Sequence, residues 1–128
     1  MNHEIIVAGK PALKYAKDGT AEYLKRLTRY GKYKLTHIKD GSSEDVSKRL
    51  YQTSEGSIRV VMDERGATPT TKELVKLYNK WEMRGTKRIS FLIGASDGHT
   101  QQLRDEADFV LSLSSLTHSL AHQGYLDS

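Results

Sequence analysis

The sequence contains no cysteine, only two prolines and no long apolar run. Without cysteine the chain cannot form a disulfide, a thiolate metal site or a cysteine nucleophile, which fits a reducing compartment. Its apolar runs are far shorter than the roughly 20 residues of a membrane-spanning helix. No basic stretch followed by an apolar one opens the chain, so we expect a cytoplasmic protein without a membrane partner.

The length of 128 residues limits what the chain can carry. It is enough for one hydrophobic core and too short for separate cofactor and substrate domains, so residues 1–128 are expected to form a single domain. An active site in such a chain must be small or shared between subunits.

Positive charge is concentrated in residues 10–39. This segment holds nine Lys or Arg and two acidic residues, so its net charge is 9 − 2 = +7. The whole chain has a net charge of +4, which leaves 4 − 7 = −3 for the remainder. Such a segment can bind the phosphates of a nucleic acid, or it can be a solvated lysine-rich helix. The candidates for RNA contacts are Lys10, Lys14, Lys25, Arg26 and Arg29.

Strand and helix patterns alternate along the chain. Short apolar runs predict strands over 4–8, 34–38, 58–62, 88–93 and 109–113, and helical spacing predicts helices over 13–27, 42–55, 70–84 and 100–107. The third helix has the clearest signals: a capping-box pattern, a glycine where a C-cap is expected, and an i, i+3, i+4, i+7 stripe that places Trp81 in the core. The alternation predicts an α/β fold, with a mostly parallel five-stranded sheet and helices on both faces.

The ends of the last three strands are candidate ligand sites, because ligands of parallel sheets lie beyond the carboxyl ends of the strands. The segments that follow these strands are 62–66, the IGASDG stretch over 93–98, and 112–118. None matches a dinucleotide or P-loop fingerprint, so a small molecule held by backbone groups is favoured over a phosphate cradle. The alternative is that these segments are ordinary turns, because loops between strands and helices often contain glycine without binding a ligand.

Several motifs together resemble the ribosomal RNA large subunit methyltransferase H (RlmH) family of the SPOUT α/β-knot superfamily. The resemblance runs from Ile5 to about Gln123. Its first motif is Val7-Ala8-Gly9-Lys10, which is followed by Tyr15. Asp63-Glu64-Arg65-Gly66 resembles the L-D-x-x-G loop of the family, 93–98 its I-G-G-x-x-G loop, and 111–118 its L-S-x-S-x-M-T-x-x-H segment. Ala95 stands where the family usually has a second glycine, which is tolerable at negative φ.

The resemblance implies a knotted parallel sheet, a homodimer, and methylation of N3 of a pseudouridine in helix 69 of large-subunit rRNA. It implies S-adenosylmethionine as methyl donor and no metal, because the sulfonium already carries an activated methyl group. His118 is a candidate general base, although a structural role is the alternative, and Asp63 is interpreted as ordering its own loop. The cofactor contacts implied by the three loops are Met62, Asp63, Gly66, Ile93, Gly94, Ala95, Gly98, Leu113, Ser114, Leu116 and Thr117.

The family pattern continues past this chain with E-Q-x-Y-R-A and P-Y-H-[KR] segments, whereas here Gln123 is followed by five residues. The knot is therefore expected to be shallow or absent. Three functions stay open: an rRNA methyltransferase, a catalytically impaired RNA-binding module, and a truncated or engineered folding variant of the knotted domain.

Overall fold

The computed structural model describes residues 2–9, 33–94 and 99–112. In these ranges the elements are β1 (Asn2–Ala8), β2 (Lys34–Ile38), α1 (Ser43–Thr53), β3 (Ile58–Ala67), α2 (Thr71–Met83), β4 (Arg88–Ile93), α3 (Gln101–Glu106) and β5 (Phe109–Leu111). Each strand and helix predicted within these ranges is present, but β5 ends at Leu111 and is shorter than the strand predicted over 109–113. The helix predicted over 13–27 lies outside them, as does the segment 113–128, on which the expectation of a shallow or absent knot depends.

The described strands form one parallel sheet in the order β2-β1-β4-β3-β5. The chain begins near the middle of the sheet, moves to one edge with β2, and then crosses to build the other half. The predicted α/β architecture with a mostly parallel sheet is confirmed, and five strands of the sheet lie in the described ranges. Because all strands run the same way, their carboxyl ends lie along one edge, which we call the carboxyl edge.

Helices cover both faces of the sheet, as predicted. Val46 and Leu50 of α1 and Leu103 of α3 pack on one face, in a cluster with alternate residues of β1, β3 and β4. Leu74 and Trp81 of α2 pack on the other face. The residues of β4 from Ile89 to Ile93 are all buried, as expected of a central parallel strand that is covered on both sides. None of the helices in the described ranges is long and apolar enough to cross a membrane.

Local sequence signals fix where the helices begin and end. The Ser42 side chain accepts a hydrogen bond from the Asp45 backbone at the start of α1. Thr70 and Glu73 form the predicted capping box of α2, with both reciprocal hydrogen bonds present. Gly85 follows the C-cap with a φ of 78°, a left-handed conformation that favours glycine.

The prediction that the third strand ends at Met62 is wrong, because β3 continues to Ala67. Met62 and Ala67 both pair with Leu111 of β5, so the register shifts between them and the four intervening residues form an irregular excursion. The Ala67 carbonyl then accepts a 2.9 Å hydrogen bond from the Ser112 backbone. The expected loop after β3 is therefore a bulge held at both ends by β5.

Candidate functional site at the carboxyl edge

The ends of three neighbouring strands meet at the carboxyl edge. Met62 of β3 pairs with Ile93 of β4 on one side and with Leu111 of β5 on the other. The strands β4, β3 and β5 are adjacent in the sheet, so the three candidate segments leave it side by side. Sequence order alone did not show this adjacency, because β5 joins the outer side of β3.

Five of the residues predicted to contact a cofactor are described, namely Met62, Asp63, Gly66, Ile93 and Gly94. Met62, Asp63 and Ile93 are buried, and Gly66 and Gly94 are half-buried. The remaining predicted site residues lie outside the described residues and stay predictions: Ala95, Gly98, Leu113, Ser114, Leu116, Thr117, His118, and the RNA candidates Lys10, Lys14, Lys25, Arg26 and Arg29.

A histidine that the sequence did not single out joins two of the strand ends. His99 lies just before α3, and its Nε2 is 3.0 Å from the carbonyl oxygen of Met62. Its own carbonyl oxygen accepts a 2.7 Å hydrogen bond from Arg104 Nη1. The same guanidinium nitrogen lies 3.6 Å from Asp63 Oδ2. These contacts tie the start of α3 to the end of β3.

The protonation of His99 follows from its surroundings. Burial lowers its pKa, and the nearby Arg104 and Arg65 charges add to this, whereas the bond to Met62 and the Asp63 charge oppose it. The pKa is lowered on balance, so the ring is neutral near pH 7. A carbonyl oxygen can only accept a hydrogen bond, so Nε2 carries the proton and Nδ1 has a lone pair. Within the described ranges, Nδ1 is buried and has no hydrogen-bond partner.

Asp63 is a buried carboxylate that orders its own segment, as interpreted from the sequence. Its Oδ1 accepts bonds from the Arg65 backbone at 2.9 Å and from Arg65 Nε at 3.1 Å, and its Oδ2 accepts from Arg65 Nη2 at 3.2 Å. Burial would raise the pKa of Asp63, but these bonds and the Arg65 charge outweigh it and hold the pKa below its usual value. Asp63 is therefore ionised at neutral pH, and its bonds to Arg65 lie within the bulge of β3.

Two glycines of the site are required by contacts within the protein. A Cβ on Gly94 would lie 2.7 Å from His99 Cε1, and a Cβ on Gly66 would lie 2.7 Å from the Val110 carbonyl oxygen. Real Cβ atoms almost never come so close, so both positions exclude a side chain unless a neighbour moves. A close approach of the Gly94 backbone to an adenosine stays a prediction.

Comparison with known proteins decides the family. Residues 1–124 match a family model described as a predicted SPOUT methyltransferase. A ribosomal RNA large subunit methyltransferase H of Thermus thermophilus is 39% identical over 123 residues, which cover 94% of this chain and 83% of that protein. Proteins of the same name from Acetivibrio thermocellus and Deinococcus radiodurans are 35% and 32% identical, with 91% and 94% of this chain covered.

The chain belongs to the ribosomal RNA large subunit methyltransferase H family of SPOUT methyltransferases. The family resemblance stated from the motifs is thereby confirmed. In this SPOUT domain the described site comprises three adjacent strand ends, a buried carboxylate with two arginines, and a neutral histidine.

His99 and Arg104 were missed because their partners are distant in sequence. The bond between His99 and Met62 spans 37 positions. His99 directly precedes Thr100, which caps α3, so its backbone is fixed by a local signal while its side-chain partner is not. No helical or strand periodicity can indicate a contact of this kind.

Proposed function

We propose that this protein transfers the methyl group of S-adenosylmethionine to N3 of a pseudouridine in helix 69 of large-subunit rRNA. The observation that carries the proposal is the meeting of β4, β3 and β5 at the carboxyl edge, in a chain that matches the methyltransferase family over residues 1–124. Ligands of parallel sheets bind at this edge. The names of the relatives, which are rRNA methyltransferases, support RNA as the substrate.

One described side chain at this edge has a hydrogen-bond acceptor without a described partner. The buried Nδ1 of His99 can accept a hydrogen bond from a ligand or from a water, and no group in the described ranges fills that role. When bound, S-adenosylmethionine supplies an activated methyl group, so the protein needs mainly to position donor and acceptor. Asp63, Arg65 and Arg104 hold the bulge of β3 and the start of α3 in fixed positions and so preorganise the edge.

The proposed acceptor nitrogen must lose its proton during transfer. His118 is our candidate for the general base, with solvent as the alternative. His99 does not serve in this role in our proposal, because burial lowers the pKa of its ring and so disfavours the uptake of a proton.

Transfer of radiolabelled methyl groups tests the proposal. The purified protein is incubated with labelled S-adenosylmethionine and a helix 69 RNA hairpin that contains pseudouridine, and mass spectrometry locates the added methyl group. A matched hairpin with uridine in place of pseudouridine is the control for base identity. We expect label at N3 of pseudouridine and little label in the control, and absence of transfer to both hairpins and to ribosomes would refute the proposal.

A Gly94→Val variant tests where the methyl donor binds. The valine side chain would collide with the His99 ring, and it would push the strand end out of position. We expect titration calorimetry to show S-adenosylmethionine binding to the parent and none to the variant. Parental affinity in a folded Gly94→Val variant would place the donor site elsewhere.

We propose a homodimer as the working assembly. In the described part of the chain β5 is an edge strand, and a groove of about 380 Å³ lies beside it, lined by Ala67, Thr68, Pro69, Glu73, Leu77 and Phe109. A two-fold interface adds surface to a small chain without adding sequence. Light scattering during size-exclusion chromatography should give twice 14.4 kDa. A soluble species of 14.4 kDa at micromolar concentration would exclude the dimer.

A further inference from the structure

The outer face of α2 carries a row of lysines. Lys72, Lys76 and Lys80 recur every four residues, and all three are exposed. The opposite side of the helix packs on the sheet through Leu74, Leu77 and Trp81. Residues four apart lie above one another on a helix, about 6 Å along the axis, so the three ammonium groups form a row about 12 Å long. We call Lys72, Lys76 and Lys80 the lysine face.

One negative charge of α2, that of Glu73, lies beside this face and interacts with Lys76. Glu73 is engaged in the capping box with Thr70, and its hydrogen bonds with Thr70 are the main reason that its pKa is lowered. Glu82 stands on the far flank of the helix. Among the carboxylates whose side chains the structure describes, none lies within 4 Å of any of the three ammonium groups. The exposed Asn79 and Met83 lie among the lysines on the same side.

Helix stability does not account for this arrangement. Two lysines at i and i+4 repel each other by about 0.2–0.5 kcal/mol, and the face contains two such pairs. Lys72 is also in the first turn, where the helix dipole disfavours a positive charge. A solvated helix that is stable by itself would alternate Glu and Lys at these spacings. The three positive charges of the row outnumber Glu73, the carboxylate of α2 that interacts with Lys76, and this excess fits an anionic partner.

The chemistry of the face matches a phosphodiester backbone. Lysine ammonium groups are compact point charges that bind phosphates without reading base sequence. A regular row of them suits a polymer with a regular row of charges. The row starts at the first turn of α2, directly after the segment that links β3 to this helix, so one end of it lies near the carboxyl edge. A strand bound along α2 would thus run toward the proposed methyl-transfer site.

We propose that the lysine face of α2 binds the phosphate backbone of the RNA substrate. The surface is separate from the three loops of the donor site and from the basic segment 10–39. The inference rests on the proposed function for the identity of the RNA, while the charge and the geometry of the face come from α2 itself.

The salt dependence of RNA binding tests this inference. Lys76→Gln/Lys80→Gln removes two charges of the face and keeps a similar helix propensity. The matched control, Lys48→Gln/Lys87→Gln, removes two exposed lysines outside the face, from α1 and from the loop before β4. Binding of a helix 69 hairpin is measured by fluorescence anisotropy between 50 and 300 mM KCl, and thermal melts verify that each variant is folded.

Each lost phosphate contact lowers the slope of log K against log salt by about 0.7 for single strands and about 0.9 for duplexes. We expect the slope to fall by about 1.4–1.8 in the face variant and by much less in the control. Lys76→Arg/Lys80→Arg should keep the parental slope. Equal losses in the face variant and the control would show an effect of net charge alone and overturn the inference, as would an unchanged slope in both.

The same proteins separate this inference from the proposed function. If the parent transfers methyl groups but the face variant keeps the parental slope, the inference fails and the function stands. If no transfer occurs but the slope falls only in the face variant, the inference stands and the function fails. Binding of phosphatidylserine vesicles that matches RNA binding in affinity, and that is lost in the face variant, would overturn RNA as the partner.

Discussion

The Nε2 of His99 lies 3.0 Å from the carbonyl oxygen of Met62, and the same imidazole fills the space beside the Cα of Gly94. One ring thus contacts the ends of both β3 and β4. The pair of contacts links the backbone of the two strands at the point where the proposed donor site begins, and it explains why position 94 has no side chain.

The contact between Gly94 and His99 predicts a non-additive pair of substitutions. Gly94→Ala alone should reduce the free energy of unfolding by about 1–3 kcal/mol, because its Cβ would lie 2.7 Å from His99 Cε1. In a His99→Ala background the ring is gone and the same substitution should cost less than about 0.5 kcal/mol. Urea unfolding of the four proteins measures the coupling. Additive effects would show that the ring does not limit position 94.

A side chain at position 66 should be more damaging than one at position 41. A Cβ on Gly66 would lie 2.7–2.8 Å from backbone atoms of Val110 and Leu111, which cannot rotate away. On Gly41 the nearest atom is Arg49 Nη1 at 3.3 Å, the end of a flexible side chain. We expect Gly66→Ala to cost about 1–3 kcal/mol of unfolding free energy and Gly41→Ala under about 0.5 kcal/mol. Similar losses in the two variants would contradict the packing of β3 on β5.

Arg104 should contribute to stability through two acceptors. Its guanidinium donates to the His99 carbonyl oxygen at 2.7 Å and lies 3.6 Å from Asp63 Oδ2. Arg104→Met leaves both buried acceptors with one partner fewer, and we expect a loss of about 1–3 kcal/mol. Arg104→Lys keeps the charge but not the several N–H donors of the guanidinium group, so its loss of unfolding free energy should be smaller than that of Arg104→Met. We expect the free energy of urea unfolding to decrease from the parent to Arg104→Lys and further to Arg104→Met. An Arg104→Met variant as stable as the parent would refute this prediction.

Stability should fall with acid because of a buried histidine in β1. Burial lowers the pKa of His3 to about 4, while its ring stacks on Tyr78 and its Nε2 lies 2.7 Å from the Tyr78 hydroxyl. The unfolded chain takes up a proton near pH 6.5 and the folded chain only near pH 4. Stability is therefore complete above about pH 6.5 and declines as the pH falls toward 4.

A His3→Gln variant isolates this effect. Glutamine can still bond to the Tyr78 hydroxyl but does not titrate, so the decline in unfolding free energy between pH 6.5 and 4 should become shallower. It should not vanish, because His99 is also buried with a lowered pKa and contributes with the same sign. Chemical denaturation at a series of pH values measures the slope. A slope equal to that of the parent would mean that His3 is protonated as easily in the folded chain as in the unfolded one.

Local sequence determined the elements of this protein. The capping box of Thr70 and Glu73, the glycine after α2 and the buried run of β4 each depend on residues within one turn or one strand of each other. Such signals are readable because helix and strand periodicities are set by backbone geometry alone. The alternation of the elements also predicted a parallel sheet with helices on both faces, and the motifs predicted the family.

Only the tertiary structure decided how the strand ends are joined. The sequence predicted a loop after Met62, but the pairing of both Met62 and Ala67 with Leu111 makes that segment a bulge within β3. The sequence predicts a ligand beside Gly94, and only the structure shows that the His99 ring lies 2.7 Å from where a Cβ at this position would be. Arg104 and Asp63 meet although 41 positions separate them. These contacts depend on which strands the chain places side by side, and that choice is made by burial of the whole sheet and not by any short segment.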